Sequence, residues 1–256
     1  MRAIVAQRYG DLEALELVQR AQPAVGPTDV LIAVRAASLN PLATFVAAAA
    51  VPLAALTSLQ ALREAAALQP GQRVLIHAGA GGVGTFAIQI AKILRLWVAT
   101  TTSTKNVNFV TSLGADEVID YTTQRVSDRV QELDAVLDTL GTSELESLSI
   151  VKRGGVVVGI GGLPDVRFAR ESLPWWAPAA LWLATAKRRR AAARAGARFV
   201  YLFMRPDGLQ LTELASWIDA GTLQPIVHRT YPLAQFRDAF AELERGRARG
   251  KIVVTM

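Results

Sequence analysis

The sequence predicts an α/β fold: a doubly wound parallel sheet joined to a smaller, mainly β unit. Three observations carry this expectation. Residues 73–94 read RVLIHAGAGGVGTFAIQIAKIL, where the apolar run Val74-Leu75-Ile76 meets a glycine turn and then an apolar-periodic stretch from Phe86 to Leu94. Further β-rich runs recur downstream with helical stretches between them, the pattern of parallel strands covered by helices on both faces. Residues 1–41, by contrast, read as strands and turns.

Taken in order, Ala3-Ile4-Val5 starts a strand, and Pro23, Gly26 and Pro27 mark loops before the β-rich run Val30 to Val34. Residues 42–69 are rich in Ala and Leu and read as helical, with Pro52 near a helix start. Gln69-Pro70-Gly71-Gln72 turns the chain into the first strand of the alternating region. Leu96 to Thr101, Glu117 to Tyr121, Ala135 to Asp138, Gly155 to Ile160 and Phe199 to Met204 follow as strands. Asn106 to Leu113 reads as a helix, with Gly114 placed to cap it. After Pro206 come two amphipathic helices, near 208–220 and 232–245, and a last strand over Ile252-Val253-Val254. No internal repeat is visible at solenoid periods.

Strand, glycine turn and helix in that order give Gly79-Ala80-Gly81-Gly82-Val83-Gly84 its meaning as a GxGxxG fingerprint. Gly79 is expected to allow the tight turn, Gly81 to let the backbone approach a pyrophosphate, and Gly84 to let the helix pack close to the strand. The free N–H groups and positive dipole end of that helix then face the phosphates. The pattern therefore reads as a Rossmann dinucleotide site.

A site for NAD usually carries an Asp or Glu ~20 residues past the first glycine, on the ribose 2′-hydroxyl. No acid occurs between Gly79 and Asp116, and the corresponding stretch reads Ala99-Thr100-Thr101-Thr102-Ser103-Thr104-Lys105. Hydroxyls and an ammonium suit a 2′-phosphate, so Ser103, Thr104 and Lys105 are the candidates to hold it, and NADPH is the expected cofactor. An ordinary polar βα loop has the same composition.

Composition excludes several classes. Hydrophobic residues make up 51% of the 256, enough for a packed core. The chain has no cysteine, and its two histidines, His77 and His228, lie far apart, so no metal site is expected. No apolar run reaches the ~18–20 residues that span a bilayer, and the first residues do not read as a signal peptide, so a cytoplasmic location is expected. The net charge of +6 has a local origin: Lys187, Arg188, Arg189, Arg190, Arg194 and Arg198 fall within twelve residues that contain no acid. Without those six, acids and bases balance at 22 each, and no base-reading motif is present, so nucleic acid is not an expected partner.

At this point the chain resembles a known family. Ala37-Ser38-Leu39-Asn40-Pro41, Leu53-Ala54-Ala55-Leu56-Thr57, the glycine turn, Leu113-Gly114-Ala115-Asp116 with Ile119-Asp120-Tyr121, Phe203-Met204-Arg205-Pro206-Asp207-Gly208 and Gly246 to Val253 are similar to the zinc-independent medium-chain dehydrogenase/reductases, in the quinone oxidoreductase (zeta-crystallin-like) group. The resemblance implies NADPH-dependent hydride transfer to a quinone or a conjugated enone. It implies a Rossmann domain at 53–205, and a mainly β GroES-like domain built from 1–52 and 206–256. It implies a homodimer through the strand Phe199 to Met204. It assigns Gly79, Gly81, Gly82, Val83 and Gly84 to the pyrophosphate, and Ser103, Lys105 and Tyr121 to the adenosine phosphate. Thr139 and Gly141, then Gly159, Ile160 and Gly161, would approach the ribose and nicotinamide. Asn40 and Thr57 would lie near the nicotinamide face, and Arg249 and Lys251 would close the cofactor cleft. No residue is assigned as the proton donor.

The chain departs from that family in one place. Only ten residues separate Pro41 from Pro52, where the family continues through several barrel strands, a loss on the order of sixty residues. The smaller domain is therefore expected to be truncated and the nicotinamide pocket exposed, which weakens positioning and water exclusion. A catalytically reduced NADPH-binding sensor or interaction protein is accordingly the alternative to an enzyme. Finally, residues 175–198 join an apolar stretch holding two tryptophans at its start to the cationic run. Arg190, Arg194 and Arg198 are spaced to line one helix face. An interfacial membrane helix presents this mix, and so does a solvated helix with snorkelling arginines.

Overall fold

Val74, Leu75 and Ile76 are fully buried, and that apolar run becomes the central strand of a six-stranded parallel sheet. The computed structural model describes residues 1–6, 14–22, 36–38, 50–172 and 174–255. In chain order, β1 (Arg2–Ala6) pairs antiparallel with β2 (Leu15–Gln19), and β3 (Ala36–Ser38) follows. The expected run Val30 to Val34 lies outside the described residues. α1 (Ala50–Gln60) begins two residues before Pro52 and continues through a π-helical turn, Ala61–Ala65.

The alternating region then runs β4 (Arg73–Ile76), α2 (Gly84–Ile93), β5 (Trp97–Thr102), α3 (Val107–Ser112), β6 (Glu117–Asp120) and β7 (Leu133–Asp138). It continues with α4 (Glu144–Ile150), β8 (Val151–Gly159), α5 (Val166–Ser172), α6 (Ala177–Ala184), α7 (Ala186–Ala195) and β9 (Arg198–Tyr201). The sheet order is β6-β5-β4-β7-β8-β9, parallel throughout, the doubly wound Rossmann arrangement. One core, with Phe86, Ile88 and Ile90 of α2 and Leu56, Leu59 and Leu62, is joined by alternate residues of β4, β7 and β8. A second, with Leu75, Ala99, Val136 and Val157, takes the opposite side chains of those strands, as the period of two requires.

The chain divides into two units, residues 1–50 with 227–256, and residues 51–226. The second boundary therefore falls after Ile226, not at 205/206 as the sequence suggests. The reason is α8 (Gly208–Asp219), capped by Asp207, whose carboxylate accepts from Gln210 N. Its Leu214, with Leu223 beyond its end, is buried in the Rossmann core. Gln60 bonds the backbone of Arg205 through both its amide atoms, Arg63 makes a bidentate pair with Glu213, and Gln89 and Gln224 exchange two further bonds. The family resemblance draws this helix into the other domain; its packing puts it here.

In the smaller unit, β10 (Val227–Pro232), α9 (Phe236–Glu244) and β11 (Lys251–Thr255) follow. Among the described residues its sheets are β1-β2 and β10-β11-β3, with Tyr231, Leu233, Ala239, Ile252 and Val254 as a buried cluster. β3 lies where the β-rich run from Val30 is expected to end, near Ser38, whereas β2 and β10 are not singled out by the sequence; β10 reads Val-His-Arg-Thr-Tyr-Pro and is mostly exposed, so no apolar alternation marks it.

The last strand of the large sheet also proves shorter than expected, ending at Tyr201. Nor do Arg190, Arg194 and Arg198 share a helix. Gly196, at φ 61°, adopts the left-handed conformation that ends α7, and Arg198 opens β9.

Candidate functional site

β4 and β7 are neighbours at the point where the strand order reverses. In open α/β sheets ligands bind outside the carboxyl ends of the strands at that switch point. The loops that leave β4, β7 and β8 there carry most of the expected site residues.

The first loop is held by β5. Ala78 sits at φ 52° and donates its N–H to Thr101 Oγ1 at 3.0 Å, Gly79 N donates to Thr101 O at 3.0 Å, and Gly81 N donates to Ala78 O at 2.9 Å. Thus Ala78, not Gly79, takes the left-handed conformation of the turn. Gly79 is required for a different reason than the sequence suggests: a Cβ there would stand 2.1 Å from Thr100 Oγ1. At Gly84 a Cβ would stand 2.3 Å from Ala78 O and 2.7 Å from Gly79 Cα, as close helix–strand packing demands. Gly81 is less confined, with Ala78 O at 3.2 Å. Gly81, Gly82 and Val83 are half-buried at the start of α2, where Thr85 N donates to Gly81 O at 3.0 Å and Ala87 N to Val83 O at 2.9 Å. The single Ser58 hydroxyl proton is shared between Ala54 O at 2.8 Å and Val83 O at 3.1 Å, which ties α1 to this turn.

The loops after β7 and β8 are locked to the first and to each other. Asp138 is fully buried; its Oδ1 accepts from Leu140 N at 2.9 Å and Gly141 N at 3.0 Å, while its Oδ2 is buried without a partner. Thr139 Oγ1 donates to His77 O at 2.9 Å, and Ile160 N donates to Asp138 O at 3.1 Å. Gly141, at φ 71°, lies against the 161–162 backbone, where a Cβ would meet Gly162 N at 2.4 Å. Gly159 rests on the Phe199 ring, and Gly161 faces Leu140. Side chains are absent at these crossings because neighbouring atoms, mostly backbone, fill the space.

Beneath the turn, His77 has its Nδ1 3.2 Å from Thr101 Oγ1 and its Nε2 3.2 Å from Ser147 Oγ. Burial pushes its pKa down, against the opposing pull of Asp138 and Glu146, so the ring is neutral at physiological pH.

The loop after β5 differs from expectation in one respect. Thr104 Oγ1 donates to Asp120 Oδ2 at 2.5 Å, and Thr122 N and Oγ1 donate to Asp120 Oδ1 at 3.0 and 2.7 Å. Hydrogen bonds from Thr104 and Thr122 hold the Asp120 carboxyl below the usual range. A carboxylate therefore does stand beside Thr104, supplied by β6 rather than by β5. Ser103 is half-buried, and Lys105 and Tyr121 are exposed. Tyr121 N donates to Thr102 O at 3.1 Å, which places this residue at the same end of the sheet.

Thr57 is buried in α1, with its hydroxyl donated to Leu53 O at 2.7 Å. Asn40 lies outside the described residues. Arg249 and Lys251 belong to the smaller unit. Arg249 is exposed; Lys251 opens β11 and is 4% exposed, and burial lowers its amine to about 8. Sequence reasoning misses Asp120, Asp138, Ser58 and the Thr100–Thr101 pair. The signal for the last is present in the hydroxyl run 100–104, but Thr100 and Thr101 serve the turn rather than a cofactor.

Among the described residues no group of three or more His, Asp or Glu could hold a metal ion, and no helix is long and apolar enough to cross a membrane.

Known proteins share this architecture. The zinc-binding dehydrogenase family matches residues 113–254. The mouse (Mus musculus) mitochondrial NAD(P)H oxidoreductase RTN4IP1 is 33% identical over 223 residues, covering 83% of this chain and 56% of the relative. The 2-methylene-furan-3-one reductase of Solanum lycopersicum is 34% identical over 215 residues, covering 82% and 47%. The chain thus spans about half the length of the curated relatives it matches. Among solved structures, a quinone oxidoreductase from Coxiella burnetii superposes with a TM-score of 0.84 at 25% identity, covering 100% of this chain and 99% of that one. The Thermus thermophilus quinone oxidoreductase, solved also with NADPH, gives 0.75 at 23% identity with both chains fully covered.

Proposed function

Because this chain belongs to the zinc-binding dehydrogenase family, among the medium-chain dehydrogenase/reductases, we propose that it is an NADPH-dependent oxidoreductase that reduces a quinone or a conjugated enone. The observation that carries this is the glycine-lined switch point. Backbone fills the places where side chains would stand at Gly84 and Gly141, and the α2 N-terminus opens at the same end of the sheet. That arrangement fits a pyrophosphate, which binds backbone amides and a positive helix end. Relatives whose names include reductases of furanones and NADPH-dependent alkenal/one oxidoreductases support the substrate class.

In this reading Gly81, Gly82, Val83 and Gly84 hold the pyrophosphate, and Ser103 and Lys105 hold the 2′-phosphate, with Tyr121 beside the adenosine. Thr104 acts indirectly, since its hydroxyl is donated to Asp120. Thr139, Gly141, Gly159, Ile160 and Gly161 border the ribose and nicotinamide. When bound, NADPH supplies a hydride. The chain's task is to fix the position of the donor and exclude water from it. Asp138 does the first part by holding the 140–141 amides, and Thr139 by tying its loop to the β4 turn. Thr57 keeps lone pairs available for a ligand after donating to Leu53 O. Asn40, Arg249 and Lys251 remain assigned to the nicotinamide side and cleft on the family resemblance. The chain carries no cysteine for a zinc thiolate site, so its chemistry is read as zinc-independent. A homodimer through the outer edge of β9 belongs to the same reading, supported by the place of β9 at the end of the sheet order.

A second reading is favoured by the ten-residue interval between Pro41 and Pro52: a protein that binds NADPH without turning over. Fluorescence titration with NADPH and NADH, followed by NADPH consumption with a panel of quinones and enones, separates the two. Binding with turnover supports the enzyme. Binding without turnover supports the second reading, and no binding of either dinucleotide by folded protein removes both.

A further inference from the structure

We propose that α6 and the exposed face of α7 form a docking surface for anionic lipid membranes. α6 (APAALWLA) is apolar around its whole circumference, a composition ordinarily found in buried helices. Here it is not covered: Trp182 and Leu183 are exposed, the latter at 71%, and the preceding Trp175 is 91% exposed with Trp176 beside it. Three tryptophans and a leucine facing solvent within nine residues exceed the scattered apolar exposure of an ordinary surface.

The cationic helix stands directly against this patch. Lys187, Arg190 and Arg194 are exposed and spaced i, i+3, i+7, so they share one face of α7. Arg189 joins the two parts physically. Its guanidinium lies 4.2 Å from the Trp182 ring centroid, and its Nη1 donates to Trp182 O. Arg188 alone turns inward, to Glu144. The sequence from 174 to 206 contains no acid, so nothing on these helices offsets the charge. Exposed indoles beside unneutralised cations match the two layers of a bilayer interface: acyl boundary for the rings, anionic headgroups for the cations. A protein partner would need a matching acidic rim around an apolar socket. A lipid surface of phosphatidylglycerol or phosphatidylserine supplies both chemistries at once.

The test is flotation of the full chain with vesicles of phosphatidylcholine containing roughly one-third phosphatidylglycerol, against phosphatidylcholine alone. Association is expected with the anionic vesicles only, with a blue shift of tryptophan emission, and is expected to fall when salt is raised from about 0.05 to about 0.5 M. The triple change Lys187→Glu, Arg190→Glu, Arg194→Glu is expected to lower the partition coefficient by about fivefold or more per charge. The triple change Trp175→Ser, Trp176→Ser, Trp182→Ser is expected to abolish co-flotation with the anionic vesicles. Unchanged circular dichroism and melting temperature show that both variants remain folded. Three results would overturn the proposal: no association of the parent protein at low salt, binding by both variants at the level of the parent, or a light-scattering mass that the tryptophan changes convert from dimer to monomer with no lipid binding in the parent. The last would assign the patch to a second copy of this chain.

Discussion

Thr104 and Asp120 form a hydrogen-bonded pair, Thr104 Oγ1 donating to Asp120 Oδ2 at 2.5 Å, at the end of the sheet where Lys105 is exposed. The Asp120 carboxylate is held ionised by Thr104 and Thr122. A 2′-phosphate in this loop would therefore meet one cation and one anion. Asp120→Asn is expected to tighten NADPH binding by about fivefold, the size of one like-charge interaction near a surface, and to leave NADH nearly unchanged. Lys105→Ala is expected to weaken NADPH about tenfold without affecting NADH. Fluorescence titration of each variant with both dinucleotides checks this; equal shifts for the two cofactors would place the 2′-phosphate elsewhere.

Gly79 and Gly84 exclude side chains against different neighbours, and the two can be told apart. Gly79→Ala meets the Thr100 hydroxyl and, at 2.9 Å, the end of the Ile88 side chain, whereas Gly84→Ala meets backbone. Each substitution is expected to cost about 1–3 kcal/mol of stability and most of the NADPH affinity. Adding Thr100→Ala removes the obstructing oxygen, so it is expected to restore part of the loss at Gly79 and none at Gly84. Denaturant unfolding and NADPH titration of the two double variants would show whether that asymmetry holds.

Neighbouring arginines of one basic run do opposite work. Arg188 is 5% exposed; it donates to Glu144 Oε1 at 2.8 Å, Leu163 O at 2.8 Å and Pro164 O at 3.1 Å, with its guanidinium 3.8 Å from the Phe199 ring centroid. It braces the loop after β8 against α4. Burial raises the Glu144 carboxyl, with Arg188 pulling the other way, so removal of Arg188 leaves a carboxyl that takes up a proton more readily. Arg188→Ala is expected to cost roughly 3 kcal/mol, the lower end for breaking a buried pair. Arg190→Ala is expected to change stability by less than about 0.5 kcal/mol. Urea midpoints of the two variants test the contrast.

Lys251 gives the stability a dependence on alkaline pH. Burial lowers its folded pKa to about 8, below the unfolded value of ~10.4. Between these values the unfolded chain holds a proton that the folded chain has released, so stability rises with pH across the window, by roughly 3 kcal/mol in total. Below about 8 both states are protonated and the term is constant. Lys251→Met is expected to remove the rise, so its stability relative to the parent should fall as pH goes from about 7 to about 10. Parallel unfolding curves for the two proteins at every pH would show that the amine is not the source.

Local rules are enough for much of this protein. The apolar run 74–76, the glycine turn and the periodic stretch after it specify strand, turn and helix from contacts a few residues apart. The alternation that follows specifies a parallel sheet, because side-chain period and chain handedness leave few other ways to bury those runs. Hydroxyls and a lysine after β5 mark the candidate cofactor loop for the same local reason. Pairings between distant residues are decided only by the tertiary structure. Sheet register brings Asp120 to Thr104 across 16 residues and Thr100 against Gly79. Packing turns Arg188 inward to Glu144, 44 residues away, while leaving Arg190 in solvent, although the two share one run of like charge. The burial of Leu214 and Leu223, with hydrogen bonds from Gln60, places α8 with the nucleotide unit. Composition records which groups are present; only the register of strands and the shape of the core determine which of them meet.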